Sequence, residues 1–234
     1  MYEAVHAHPD GETTVARLAK TAADYGFEGV VVRNHHDSRG EYDAEQIREA
    51  YDVDVVTGLE IRADSPEQAG GSVGNYRTEQ TILAVHGGSN AMNRFAVETD
   101  KVDVLAHPMA GGGDVNHVVV KAAVENGVRL EFDLSGVLRR SGGRRVRAIQ
   151  SLQKLEELVD YYDAPYVVSG DPRSHLEMRA PRELAALGEE LGFSSEFIEA
   201  GLAEWGHLAE RNRAIRSESF IEPGVERGRY DEES

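Results

Sequence analysis

The sequence predicts a single α/β barrel of about seven parallel strands. Three observations lead there. Short apolar runs alternate with helix-periodic segments along nearly the whole chain, and that alternation calls for parallel strands joined by right-handed crossovers. The run Gly29-Val30-Val31-Val32-Arg33 is apolar without interruption up to its last residue, as a strand covered on both faces must be. Chemically capable residues also follow one strand after another: His6 and His8, Asn34 and His35, Glu60, His86, His107, Asp133 and Asp171. In an α/β barrel the carboxyl ends of the strands share one face, which is where such folds place their chemistry. A doubly wound open sheet is the alternative. The lack of a Gly-x-Gly-x-x-Gly turn after the first strand weakens it.

Taken in order, residues 3–8 read as strand one. Thr13 can cap a helix to Tyr25, with Val15, Leu18, Ala19 and Ala22 on one face and Gly26 as its stop. Strand two covers 29–33, and 43–51 is a short helix. Strand three, 53–59, ends on Glu60. Residues 65–77 are interrupted by glycines and show no clear period. Strand four, 81–85, ends on His86 and precedes a helix at 91–98. Strand five, 102–106, ends on His107-Pro108. The loop Gly111-Gly112-Gly113 leads to a helix at 117–126 that Gly127 closes, and strand six covers 128–134. A basic stretch then enters a helix through Leu155. Strand seven, 165–168, ends on Ser169-Gly170-Asp171. Pro181 suits the first turn of a helix to Leu191, and Ser194 opens a last helix to about Ile215. Residues 1–216 thus form one barrel domain. The charged segment 217–234 is expected to be a disordered acidic tail.

The formal net charge is −17, from 42 acids and 25 bases, and 21 of those bases are Arg against 4 Lys. So acidic and Lys-poor a surface suits a cell with molar salt, where a Debye length of about 3 Å screens self-repulsion. The absence of cysteine excludes disulfides and Cys-ligated zinc and fits a cytoplasmic protein. No apolar run is long enough to span a membrane, and residues 1–3 lack the basic start of a signal peptide. Against the acidic background, residues 134–154 hold Arg139, Arg140, Arg144, Arg145, Arg147 and Lys154 and no acid. Guanidinium groups make planar, two-pronged contacts with phosphate and stack on bases. Two glycines inside the island make its loop compliant, and the following helix start adds positive potential. The bland alternative pairs Arg147 and Lys154 with Glu156 and Glu157, and Arg182 with a neighbouring acid. Phe132 and Trp205 fit the core better than a base-stacking platform.

His6-x-His8 would place two imidazoles on one side of an extended strand. With Glu60, His107 and Asp171 they would make an N/O metal set suited to zinc, manganese or iron, able to activate water against a phosphoester. The alternative is a group of hydrogen-bonded barrel-mouth residues with no metal. His6-Ala-His8, Asn34-His35, Gly58-Leu59-Glu60, Ala106-His107-Pro108 and Ser169-Gly-Asp171 resemble the motif series of the PHP (polymerase and histidinol phosphatase) phosphoesterases. Two places depart from it. Asn34 stands where those enzymes carry Asp, and Asp171-Pro172-Arg173 replaces a terminal Asp-x-His, His175 falling two residues late. That resemblance implies at most a vestigial zinc or manganese site.

A closer resemblance spans almost the whole chain. Asp103-Val-Leu-Ala-His107-Pro108, Asn116-His117, Lys121-Ala-Ala-Val-Glu125-Asn126-Gly127-Val128, Leu130-Glu131-Phe132-Asp133-Leu134-Ser135, the Arg-rich segment and Arg179-Ala-Pro181-Arg182-Glu183-Leu184 resemble the archaeal and eukaryotic ribonuclease P protein component 3 family. The resemblance implies a PHP-like, TIM-type barrel serving as a non-catalytic, RNA-binding subunit of the ribonucleoprotein that removes the 5′ leader of precursor tRNA. It implies that the RNA of the particle uses Mg2+ while this chain needs no cofactor. Implied partners are the ribonuclease P RNA, protein component 2 and the other protein subunits, with precursor tRNA as substrate. Arg33, Arg139, Arg140, Arg144, Arg145, Arg147, Arg173, Arg179 and Arg182 are then the expected RNA-binding residues. The rival expectation is a free-standing PHP-type metal-dependent phosphoesterase.

Overall fold

A computed structural model describes residues 1–216, 220–222 and 225–226. Seven parallel strands make one sheet in simple chain order: β1 (Tyr2–Val5), β2 (Gly29–Val32), β3 (Asp54–Ile61), β4 (Ile82–His86), β5 (Val104–Ala106), β6 (Arg129–Asp133) and β7 (Tyr166–Ser169). The connecting helices are α1 (Val15–Tyr25), α2 (Ala44–Tyr51), α3 (Pro66–Tyr76), α4 (Asn90–Val97), α5 (His117–Asn126), the short α6 (Ser135–Arg139) and the long α7 (Gly142–Tyr162). Then follow α8 (Pro181–Leu191) and α9 (Ser195–Ile215).

Several elements differ from expectation for local reasons. Thr14, not Thr13, caps α1, its side chain accepting from the Arg17 amide. The glycine-interrupted stretch is α3. Ser65 caps it, Pro66 opens it, and Ala69 and Val73, one turn apart, are its buried contacts. β3 runs on to Ile61, so Glu60 lies inside the strand rather than after it. The glycines of the basic island are the first two residues of α7, so the compliant loop shrinks to Arg140 and Ser141. In the segment expected to be a disordered tail, Phe220–Glu222 pairs antiparallel with Val225–Glu226 around a Pro-Gly turn signal in the sequence. The rest of that tail lies outside the described residues.

Period-two alternation sorts each strand into two faces. One face meets the helices. There Val30, Leu83, Leu105, Leu130 and Phe132 join the apolar residues of α1 to α8. The other face lines the barrel, where Ala4, Val31, Val56, Ala84, Val104 and Val167 pack on one another. The register carries this inner row across the sheet, through Ala4↔Val31, Val31↔Val56, Glu60↔Ala84, Ala84↔Val104 and Glu131↔Val167. Toward the carboxyl ends the row turns from apolar to ionisable.

β1 and β7 are not paired, and α9 covers the seam between them. Trp205, Leu208 and Ala209 fill the interior from this helix, and the Trp205 indole donates to the Val168 carbonyl at 2.9 Å. Glycine is required where α9 comes closest. A Cβ on Gly201 would sit 2.4 Å from Val168, and one on Gly206 2.6 Å from the Tyr2 ring. At the amino-terminal end of the barrel, buried Asp103 accepts from the Leu83 amide at 2.8 Å and from Asn212 of α9 at 2.9 Å, and it also pairs with Arg77. One carboxylate thereby ties β4, β5 and the closing helix together. Replacing it (Asp103→Ala) strands a buried amide, an Asn and an Arg. We expect a loss of about 3 kcal/mol of unfolding free energy, measured by urea denaturation in molar KCl, and an unchanged midpoint would refute this role.

Candidate functional site

The carboxyl ends of the strands converge on a buried cluster of acids and bases. At its centre is Arg33, the residue after β2, with no exposed surface. Its Nη2 lies 2.7 Å from Glu131 Oε1 and 2.9 Å from Asp171 Oδ1, and its Nη1 lies 3.4 Å from Glu60 Oε2. Beneath it the Trp205 ring lies 5.8 Å from the guanidinium carbon. Burial opposes the charge of Arg33, but Glu131, Glu60 and Asp171 outweigh it and hold the group protonated.

Imidazoles surround this pair of strands and loops. His6 uses both nitrogens, Nδ1 toward Asp10 Oδ2 at 2.7 Å and Nε2 toward Asp171 Oδ1 at 3.1 Å. With an acid at each nitrogen the ring is set up as a doubly protonated donor. His35 joins the same Asp10 oxygen through Nδ1 at 2.9 Å, and its backbone amide bonds there too. Burial pulls His35 down, yet its hydrogen bond with Asp10 and the Glu60 carboxylate 3.5 Å from Nε2 push it up to about 9. His107 meets Asp133 at 3.1 Å, and its amide donates to Glu131 at 3.0 Å. Glu60, fully buried, is nonetheless held well below the usual carboxylate range by His107 and Arg33, and its second oxygen takes His86. His107 and Asp171 both have left-handed backbones with φ of 49°. Non-glycine residues carry that at a cost of roughly 1–3 kcal/mol each, a feature that concentrates at functional sites.

The expected residues divide cleanly. His6, Glu60, His107 and Asp171 are brought together. His8 is not: β1 ends at Val5, the alternation that would have aligned the two imidazoles stops with it, and His8 is exposed outside the cluster. Arg33 is corrected outright, because a guanidinium with no accessible surface and three acid partners does not meet RNA. Arg139 turns inward, donating to the carbonyls of Gly170 at 3.0 Å and Asp171 at 2.7 Å. Arg173 clamps Asp10, reaching its Oδ1 at 3.0 Å. Asn34 is structural: it donates to Ala7 O and accepts from Ala7 N, both at 2.7 Å, locking the loop after β1 onto β2.

Asp10, Glu131 and Ser169 complete the cluster, beyond the residues that the sequence points to. Glu131 was detectable. It sits between Arg129 and Asp133 at period two, which puts three polar side chains on the face opposite Leu130 and Phe132. Asp10 carried no signal, since a loop acid in so acidic a chain looks like background.

The four residues would be a partial ligand set for a metal ion, and ligand atoms of His6, His107 and Asp171 lie within 4.8 Å of one another, but Arg33 already occupies two of the oxygens. The oxygens such an ion would share with His6, Glu60 Oε2 and Asp171 Oδ1, are those that face Arg33.

Beside the mouth lies the arginine face. Arg140, Arg144, Arg145 and Arg147 are exposed along the start of α7. Arg145 donates to the Arg140 carbonyl at 2.8 Å. Among the described residues none of the four pairs with an acid. Lys154 instead pairs with Asp114. A cavity of about 490 Å³ is lined by Arg139, Arg140, Arg144 and Arg147. A second, about 470 Å³, continues past Arg140, Arg144 and Arg147 to His107, Glu131 and Asp133. Ser141 makes no side-chain cap, and the first turn of α7 holds no acid. Arg179 donates to the carbonyls of Leu176 and Met178, while Arg182 is exposed with no acid partner among the described residues.

Comparison with known proteins places this arrangement. A Natronomonas pharaonis protein named Ribonuclease P protein component 3 is 60% identical over 234 residues, covering 100% of this chain and 98% of the relative. The protein of that name from Haloarcula marismortui is 58% identical over 225 residues, covering 96% of each. Among solved structures, a chain of the cryo-EM structure of archaeal Ribonuclease P with mature tRNA superposes with a TM-score of 0.83 at 22% identity, both chains covered in full. Histidinol phosphate phosphatase from Lactococcus lactis, crystallised with zinc, L-histidinol and phosphate, superposes at 0.54 with 10% identity over 82% of this chain and 94% of its own. At these identities the two superpositions establish the fold alone. The sequence model of the RNase P subunit p30 family matches residues 1–217, and this chain belongs to that family.

Proposed function

We propose that this chain is an RNA-binding, non-catalytic protein subunit of ribonuclease P, the ribonucleoprotein that removes the 5′ leader of precursor tRNA. One observation carries the reading: the amino terminus of α7. Helices favour acids and a capping side chain there, because the macrodipole leaves the first amides positive. α7 has neither, and instead crowds Arg140, Arg144, Arg145 and Arg147 around those amides. For folding alone this is unfavourable. For a polyanion it is a ready site, since backbone amides and guanidinium forks can share one run of phosphates. The 60% identity to a protein named for ribonuclease P supports the same reading.

The particle's RNA then holds the Mg2+ ions of the reaction, and this chain contributes shape and charge. Other protein subunits, component 2 among them, share the particle. No helix among the described residues is long and apolar enough to cross a membrane. A protein of net charge −17 binding RNA in molar salt must do so through close contacts, since about 3 Å of screening length leaves little long-range repulsion or steering.

The test is binding of the ribonuclease P RNA by the variant Arg140→Gln, Arg144→Gln, Arg147→Gln across molar KCl concentrations. If three phosphate contacts are lost, affinity falls and the log–log salt slope flattens by about 2. Arg182→Gln alone should flatten it by about 1 or less. Circular dichroism identical to wild type, with affinity and slope both unchanged in the triple variant, would remove α7 from the RNA interface.

A further inference from the structure

The strongest unexplained feature is the cation in the barrel mouth. A guanidinium buried completely is costly to desolvate, and this one is not optimally hydrogen bonded. Nη2 reaches two carboxylates, but among the described residues Nε and Nη1 have no hydrogen-bond partner, and Glu60 Oε2 facing Nη1 has none either. Such a group is seated for its charge more than for its hydrogen bonds. It compensates three carboxylates that the inner rows of β3 and β6 and the loop after β7 deliver to one point.

The surrounding atoms are spaced for a different cation. An ion with bonds of about 2.1 Å holds tetrahedral ligand atoms about 3.4 Å apart. His6 Nε2 lies 3.1 Å from Asp171 Oδ1 and 3.8 Å from Glu60 Oε2. Ligand atoms of His6, His107 and Asp171 all fall within 4.8 Å of one another. Two of these oxygens, Asp171 Oδ1 and Glu60 Oε2, are also the partners of Arg33, at 2.9 and 3.4 Å. The guanidinium and a metal ion would therefore claim the same lone pairs and the same space. They exclude each other.

We infer that Arg33 is a built-in substitute for a divalent ion: it keeps the site it shares with His6, Glu60 and Asp171 metal-free, and its removal uncovers a transition-metal site formed by those three residues, with His107 beside it. This stands independently of the arginine face on α7. It also gives Arg33 a reason to be arginine, because a neutral residue there would leave three carboxylates uncompensated.

The experiment compares EDTA-treated wild type with Arg33→Ala and Arg33→Lys, titrated with MnCl2 and ZnCl2 by calorimetry and by thermal unfolding in molar KCl. Wild type and Arg33→Lys, which keep a cation, should show no stoichiometric binding and no metal-induced rise in unfolding temperature. Arg33→Ala should unfold at lower temperature without metal, recover with it, and bind one ion at least roughly a hundredfold more tightly than wild type, as expected from removing a unit charge a few ångströms away. If Arg33→Ala is unfolded without metal, refolding on addition of Mn2+ supports the inference. The variant Arg33→Met with Glu131→Gln, which drops one of the three facing acids, provides a folded version of the same test. Stoichiometric tight metal in wild type that is lost in Asp171→Asn would overturn it. So would failure of both Arg33-deleted variants to gain metal affinity or metal-dependent stability.

Discussion

The contact on which the rest of this molecule depends is that of the Arg33 guanidinium with Glu60, Glu131 and Asp171. Two strands and a loop aim acids at one buried point, and like charges at such distances do not stay ionised without a cation among them. Arg33 supplies it from the strand between β1 and β3. His6, His35 and His107 then add positive charge around the edge through Asp10, Asp171 and Asp133. The result is a mouth neutralised by the protein's own side chains. Its acids are committed to internal partners, so they do not repel a nearby polyanion as bare carboxylates would.

The seating of that cation reaches back to the last helix. Seven strands leave a seam, and α9 fills it by pressing Gly201 and Gly206 against β7 and β1 and sending Trp205 into the interior. Trp205 is both the floor under Arg33 and a hydrogen-bond donor to β7. Barrel closure and charge closure thus share a residue. The arginine face lies just outside, where α6 and α7 leave the carboxyl end of β6. Arg139 marks the border, with its side chain spent on the carbonyls of Gly170 and Asp171, while Arg140, Arg144 and Arg147 look outward.

The fold could be read from the sequence because parallel strands covered on both faces leave long apolar runs, and because ionisable residues recurred after them. Helix α5 was legible to the residue, with Asn116 and Gly127 as its caps. What escaped was non-local. Nothing near Arg33 in the sequence says that Glu60, Glu131 and Asp171 will surround it, so in the sequence this arginine after a strand looks like the exposed ones. His8 was misplaced because alternation was carried past the end of β1. Asp10 was invisible because its role comes from two histidines, 4 and 25 residues away. α3 was missed because glycines mask its period, although Ser65 and Pro66 were both helix-start signals.

The division of labour that follows, chemistry in the RNA and shape and charge in this chain, is tested most directly by one assay. Leader removal from precursor tRNA is followed in molar KCl with Mg2+ by a particle reconstituted without this chain, by the complete particle and by the chain alone. The chain alone is also given a small phosphomonoester. The account predicts that the lone chain hydrolyses neither substrate and that the complete particle cleaves faster than the one lacking it. Phosphoester hydrolysis by the isolated chain that disappears in His6→Ala, or leader removal at equal rate without the chain, would contradict it.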